Sequence, residues 1–275
     1  MTSHERPPAN IAKPTLSVVP GTPSAQRTAP MRAVVTGASS GIGAATVRAL
    51  RAGGWEVYAV ARRAHRLAEL CADTGAHAVV GDVTDQASVD ALVREVTAEG
   101  DIHAVVNNAG GAFGVDPVAG AQIADWEKMY NTNVLGSLRV TRGFLPSLRA
   151  GGQGSVLFLT STAAYAAYEG GAGYCGAKAA QQSMARSLRL EEAQHNVRVL
   201  EVAPGMVHTE EFSLNRLGGD SAAASKVYAG VVNPLTAADI ATVIAFALNA
   251  PHHVNLDQIV VRPLAQAANH KVIRN

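Results

Sequence analysis

The stretch Thr36-Gly37-Ala38-Ser39-Ser40-Gly41-Ile42-Gly43 decides the reading of this chain. A β-rich run, Ala33–Thr36, leads into it, and a helical stretch over 42–52 leaves it. Glycine permits the sharp turn between them and lets backbone N–H groups approach an anion closely. The N-terminus of the helix adds partial positive charge. A glycine-rich turn alone says little. Placed in the first βαβ unit of a chain, it is the phosphate cradle for a dinucleotide. Gly37, Ser39, Ser40, Gly41 and Ile42 are the candidate contacts.

Working outward, β-rich runs alternate with helical stretches. The expected strands are Ala33–Thr36, Glu56–Ala61, His77–Gly81, Ala104–Asn107, Ser155–Thr160, Val197–Ala203 and Gln258–Val261. The expected helices cover 42–52, 64–74, 85–99, 122–149, 173–194, 221–230 and 236–249. Nearly continuous apolar strands alternating with helices predict an α/β fold, a parallel sheet of seven strands covered on both faces. No internal repeat or linker divides 31–275, which is expected to be a single domain ending in a C-terminal tail.

Residues 1–30 read differently. They hold six of the 12 prolines, with Ser and Thr between them and no apolar periodicity. That composition predicts a disordered, Pro-rich tail. It lacks the apolar stretch of a signal peptide, and its prolines oppose an amphipathic transit helix. Met31, directly before the first strand, is a candidate initiation residue.

Gross composition excludes several classes. Hydrophobic residues make up 48% of the 275 and charged residues 16%, which suits a well-buried core. The net charge of +1 gives no electrostatic basis for nucleic acid or acidic membranes. No apolar run approaches the roughly 18 residues that span a bilayer. Cys71 and Cys175 fall in different helices, so a reducing, cytoplasmic setting is expected. His252 and His253 have no ligand spacing with other His or Cys, so no metal site is expected.

The end of the second strand bears on coenzyme choice. It reads Val60-Ala61-Arg62-Arg63, without the carboxylate that accepts hydrogen bonds from a ribose 2′-OH. Two guanidiniums there offer bidentate donors to a 2′-phosphate, which predicts NADP(H). The alternative is a pair of solvated arginines at a helix start. Asp82 and Val83 after the third strand are placed near the adenine. Asn108, Ala109 and Gly110 after the fourth permit close passage of the coenzyme.

Farther along stand Ser161 and Tyr174-Cys175-Gly176-Ala177-Lys178. Residues four apart share a helix face, so a phenol and an ammonium lie side by side. A neighbouring cation favours phenolate, so Lys178 is expected to hold Tyr174 below about 10. Such a phenol can exchange protons near neutral pH. The spacing alone also occurs on ordinary solvated helices; its company gives it weight.

Thr36–Gly43, Asn107–Gly110, Asn133, Ser161, Tyr174 with Lys178, and Pro204-Gly205 together resemble the short-chain dehydrogenase/reductase family in order and spacing, over about 31–262. The resemblance implies a Rossmann-type, doubly wound sheet and hydride transfer between a nicotinamide and a carbonyl or alcohol. Carried over, Ser161 would bind the substrate oxygen and Tyr174 would give or take its proton. Lys178 would tune Tyr174 and bind the nicotinamide ribose. Asn133 would interrupt its helix and hold a water relaying protons toward Lys178. Pro204, Gly205, Val207 and Thr209 would flank the nicotinamide. The family also implies a homotetramer or homodimer, with the tail beyond Val261 reaching a neighbour.

Within the family, Glu211-Phe212-Ser213, Arg216, Gly219-Asp220, Tyr228, Leu235-Thr236, Asp239, Pro251–Asn255, Pro263 and Gln266 resemble the NADP-dependent 3-hydroxy acid and serine dehydrogenases. That branch implies a small hydroxy acid or its oxo counterpart as substrate. Its carboxylate needs a cation, and Arg216 is the candidate; the alternative is a solvated helix-end arginine. His208-Thr209-Glu210 departs from the branch toward the general family pattern. Two other readings stay open: a reductase of ketones, sugars or 3-oxoacyl thioesters, and a non-catalytic NADP(H)-binding sensor.

Overall fold

The computed structural model describes residues 29–275. The expected tail over 1–30 lies outside the described residues except for its last two positions. The first half runs β1 (Arg32–Thr36), α1 (Gly41–Ala52), β2 (Glu56–Ala61), α2 (Ala64–Thr74), β3 (His77–Val80), α3 (Gln86–Ala98) and β4 (Ala104–Asn107). Next come α4 (Ile123–Tyr130), a π-helical segment (Asn131–Gly136), α5 (Ser137–Ala150), β5 (Ser155–Leu159), α6 (Ala172–Glu192) and β6 (Arg198–Pro204). The last part holds β7 (Val207–His208), α7 (Phe212–Arg216), α8 (Ser221–Tyr228), β8 (Leu235–Thr236), α9 (Ala237–Asn249), β9 (Ile259–Val261), β10 (Gln266–Ala268) and β11 (Lys271–Val272).

Seven strands form one sheet in the order β3-β2-β1-β4-β5-β6-β9. Every neighbouring pair is parallel, as expected for strands joined by helical crossovers. Alternation along β1 sends Val34 and Val35 to opposite faces. Val35 joins a core with Val47, Leu200, Ile240 and Ile244, under α1 and α9. Val34 joins another with Leu92, Phe144, Phe158 and Leu188, under α3, α5 and α6. The strand order reverses between β1 and β4, and there the loops at the carboxyl ends part to leave a crevice.

The small β7–β8 pair is not among the expected strands, and three further regions differ from the sequence expectation. The helix expected over 122–149 begins at Ile123, and its middle is the π-helical segment. The Asn133 side-chain amide donates to Met129 O at 2.8 Å, and the Thr132 hydroxyl to Lys128 O at 2.9 Å. Side chains bonded to carbonyls four residues back compete with the helical ladder there. The short α7 has five residues, too few to show a helical period. The tail beyond Val261, for which no strand is expected, forms a hairpin on its own chain. β10 pairs antiparallel with β11, and Asn275 N donates to Gly230 O at 2.9 Å.

The glycine turn is as tight as its sequence requires. Gly37 has φ +66 and Gly41 φ +52, in the left-handed region. A Cβ on Gly43 would stand 2.3 Å from Gly37 O and 2.5 Å from Asn108 Nδ2. The Asn108 amide itself donates to Thr36 O at 2.8 Å, tying β1 to β4 beside the crevice. Gly43→Ala is therefore expected to lower stability by roughly 1–3 kcal/mol, the usual cost of overpacking. Urea denaturation checks this, and an unchanged midpoint would contradict the packing described.

Candidate active site

The crevice opens into a cavity of about 680 Å³. Its coenzyme end is lined by Gly37, Ser40, Gly41, Ile42 and Arg62 from the first two strand ends. Asn108, Ala109 and Gly110 line it after β4. Pro204, Gly205, Val207 and Thr209 line it after β6. Ser161, Tyr174 and Lys178 lie in its wall, together with Arg216. Ser39, Arg63, Asp82, Val83 and Asn133 are not part of this lining.

The coenzyme end is built for an anion. No side chain caps the amides of α1: the Ser40 hydroxyl, which precedes the helix, donates to Glu211 at 2.8 Å instead. Thr209 faces Gly41 across the crevice, 3.6 Å from where a Cβ would sit. Asn108 N and Ala109 N donate to the Thr36 hydroxyl at 3.1 and 3.0 Å, fixing the two loops together. Arg62 is exposed, with Nη1 4.0 Å from Asp82 Oδ2. Burial opposes the charge on Asp82, but hydrogen bonds from the Thr84 N–H and hydroxyl hold its carboxyl below the usual range. Val83 is buried against Gly136 of the π segment. Arg63 does not point to open solvent. Its guanidinium grips the Glu211 carboxylate at 2.6 and 2.9 Å and donates to the Ser39 hydroxyl at 2.9 Å.

Tyr174 and Lys178 occupy one face of α6, with only 8% and 4% of their surface exposed. Lys178 Nζ lies 5.8 Å from the centre of the Tyr174 ring. It donates to Leu159 O at 2.8 Å and Gln181 Oε1 at 3.0 Å. Ser161 follows β5; its hydroxyl accepts from Ala163 N at 3.1 Å and donates to Pro204 O at 3.4 Å.

The expected lowering of the Tyr174 pKa is overturned. Burial, reinforced by the neighbouring Tyr168, pushes the phenol well above its ordinary value, against the opposing hydrogen bond with Ser161 and the charge of Arg216. Burial also lowers Lys178 to about 7. Helical spacing placed the two groups correctly, but it carried no information about solvent. Desolvation penalises the charged form of each, so it raises a phenol and lowers an amine. An amine that is half neutral at pH 7 exerts little pull on its neighbour.

Asn133 is joined to Lys178 indirectly. Its side chain accepts from Gly111 N at 3.2 Å and donates to Gly111 O at 2.9 Å. Its backbone carbonyl accepts the Ser137 hydroxyl at 2.9 Å, and that hydroxyl accepts Gln181 Nε2 at 2.8 Å. Gln181 then returns to Lys178, which closes a buried chain from the π segment to α6. Gly110 runs beside this chain; a Cβ there would stand 2.4 Å from Asn133 Oδ1.

Arg216 is not a solvated helix-end residue. It reaches Tyr168 Oη at 3.0 Å and Gly170 O at 3.0 Å, while its Nε is buried without a hydrogen-bond partner. Several residues around it carried no role from sequence. Tyr168 stands beside Arg216, and Phe212 meets Tyr174 edge-on at 5.7 Å between centroids. Gln266 accepts Met206 N at 2.8 Å, and Asn269 donates to Thr162 O at 2.9 Å, so the tail hairpin walls the cavity. Phe212 and Gln266 stood among the branch positions; nothing in sequence pointed to Tyr168 or Asn269. Among the described residues, no group of three metal-binding side chains forms, and no helix is long and apolar enough to cross a membrane.

Comparison with known proteins agrees with this geometry. The profile of the short chain dehydrogenase family matches residues 31–216. This chain belongs to the short-chain dehydrogenase/reductase family of oxidoreductases. An uncharacterised oxidoreductase of Mycobacterium tuberculosis is 53% identical over 236 residues, 86% of this chain and 92% of that protein. The serine 3-dehydrogenase of Agrobacterium fabrum is 39% identical over 237 residues, 85% of this chain and 94% of its own. A solved serine dehydrogenase, in its closed form with NADP+, superposes with a TM-score of 0.84 at 33% identity, covering 89% of this chain and 100% of that one. The likeness to the serine dehydrogenase branch is thus borne out.

The Lys178 shift has a measurable sign. Between about pH 7 and 10.5 the unfolded chain holds this proton and the folded chain does not. Stability contributed by the group therefore rises with pH through that window, and the full penalty applies below it. Relative to wild type, Lys178→Met is expected to be more favourable at pH 7 than at about pH 9.5, where Tyr174 is still mostly protonated in both states. Chemical denaturation at the two pH values checks this; a constant difference between the proteins would contradict the burial.

Proposed function

We propose that this protein is an NADP(H)-dependent oxidoreductase acting between a small 3-hydroxy acid and its 3-oxo counterpart. One observation carries the reading: Ser161, Tyr174, Lys178 and Arg216 share one cavity wall, downstream of a glycine turn built for a pyrophosphate. The coenzyme site fits the group. The α1 amides are uncapped, Gly37 and Gly43 leave no room for a Cβ and Gly41 holds a left-handed φ, and Arg62 and Arg63 replace the acid that would bind a 2′-OH. When bound, the coenzyme supplies or accepts the hydride.

The residues of the chain handle the proton and the orientation. In reduction, the carbonyl carbon gains H⁻ and its oxygen gains H⁺ from Tyr174 Oη. A phenol held above its ordinary pKa by burial arrives protonated throughout the neutral range, as a general acid must. The phenolate left behind regains its proton through Lys178, whose value of about 7 lets it both carry and release one near neutrality. Ser161 steadies the substrate oxygen, and Asn133 braces the chain that holds Lys178. Arg216 receives the carboxylate, with its unpartnered Nε and its Tyr168-bound edge at the far end of the wall. The named serine dehydrogenase relatives support an acid of this size.

A turnover screen of serine, 3-hydroxyisobutyrate and larger alcohols, with both nicotinamide coenzymes, tests the assignment. Tyr174→Phe is expected to lower kcat by about 10²–10⁴ while coenzyme binding, followed by fluorescence, is retained. Unchanged turnover would remove Tyr174 from the proton step. Arg216→Met is expected to raise KM for the hydroxy acid by about 10- to 100-fold, the worth of a hydrogen bond to a charged group. A neutral alcohol of equal size should be much less affected, and equal losses for both would remove Arg216 from acid recognition.

A further inference from the structure

Glu211 lies 148 positions along the chain from Arg63, yet the two meet at the coenzyme end of the crevice. Arg63 Nη1 and Nη2 take both carboxylate oxygens, at 2.6 and 2.9 Å. The Ser40 hydroxyl donates to Oε2 at 2.8 Å. Ser39 stands alongside, receiving Arg63 Nε at 3.1 Å and Nη2 at 2.9 Å. Two polar side chains, Ser40 of the β1 turn and Arg63 of the β2 end, thus converge on one anion, with Ser39 bracing Arg63, and that anion belongs to the chain itself. A guanidinium fork binds a carboxylate and a phosphate monoester through the same paired donors. Arg63 cannot offer those donors to both at once.

We propose that Glu211 is a specificity-determining residue that competes with the coenzyme 2′-phosphate for Arg63 and Ser40. The proposal rests on the NADP(H) reading above. A 2′-phosphate must displace this carboxylate, so the affinity for NADP+ is set by a difference between two anions. A ribose 2′-hydroxyl leaves the Arg63–Glu211 pair in place, and NAD+ meets no such competitor. Glu211 therefore narrows the margin between the two coenzymes. The pair is only partly exposed, with 38% and 25% of the two side chains reaching solvent, so the competition takes place where water screens it incompletely.

Calorimetric titration with four ligands, NADP+, NAD+, 2′,5′-ADP and 5′-AMP, tests this without reference to turnover. In Glu211→Gln, binding of NADP+ and 2′,5′-ADP is expected to tighten by about 10-fold, equivalent to about 1.4 kcal/mol. NAD+ and 5′-AMP should change by less than about twofold, well under that step. In an Arg63→Ala background the same substitution should lose most of its effect. Wild type preferring 2′,5′-ADP while Glu211→Gln leaves that preference unchanged or weaker would overturn the competition and leave the NADP(H) reading standing. An equal gain with and without Arg63 would show diffuse repulsion in place of a shared donor, and would overturn it too. Wild type showing no preference for 2′,5′-ADP over 5′-AMP would remove the NADP(H) reading itself, and the proposal with it.

Discussion

Desolvation of the Tyr174–Lys178 face of α6 is the constraint on which the rest of the site depends. Burying an amine and a phenol one helical turn apart costs free energy unless each finds a partner or gives up its charge. Lys178 does both. It donates to the carbonyl of Leu159 at the end of β5 and to Gln181 on its own helix, and its pKa falls to about 7. Tyr174 keeps its proton. The sheet makes this possible, because the end of β5 brings the Leu159 carbonyl against α6 at the depth of the buried amine.

The π segment belongs to the same arrangement. The wider turn through 131–136 holds Asn133 against Gly111 and anchors the chain through Ser137 and Gln181 to Lys178. Irregular backbone of this kind is frequent at functional sites. At the other end of the crevice, Arg63, like Lys178, is held by groups of the protein itself. The difference is that the Arg63 partner is itself an anion, and so a rival to the ligand.

The features fixed by local pattern were legible in the sequence. Continuous apolar runs such as Val57–Ala61 marked buried parallel strands, and Gly37, Gly41 and Gly43 marked a turn that only glycine fits. The four-residue step from Tyr174 to Lys178 placed both on one face. Features fixed by the three-dimensional environment were not legible. Spacing could not reveal that Tyr174 and Lys178 would be dry, so the direction of the phenol shift was misjudged. Nothing near Arg63 pointed to a carboxylate 148 residues away. Gln266 and Asn269 enter the cavity wall only because the tail forms a hairpin over it, and a three-residue strand leaves no periodic trace.

The most direct measurement is the titration of Tyr174 in the coenzyme-free protein, followed by NMR of ring-labelled tyrosine and assigned by comparison with Tyr174→Phe. A buried phenol beside a largely neutral amine predicts that the Tyr174 signal does not move as pH is raised to about 10, the ordinary tyrosine value. A titration midpoint near neutrality would contradict the account, showing that the Lys178 charge outweighs desolvation at this site.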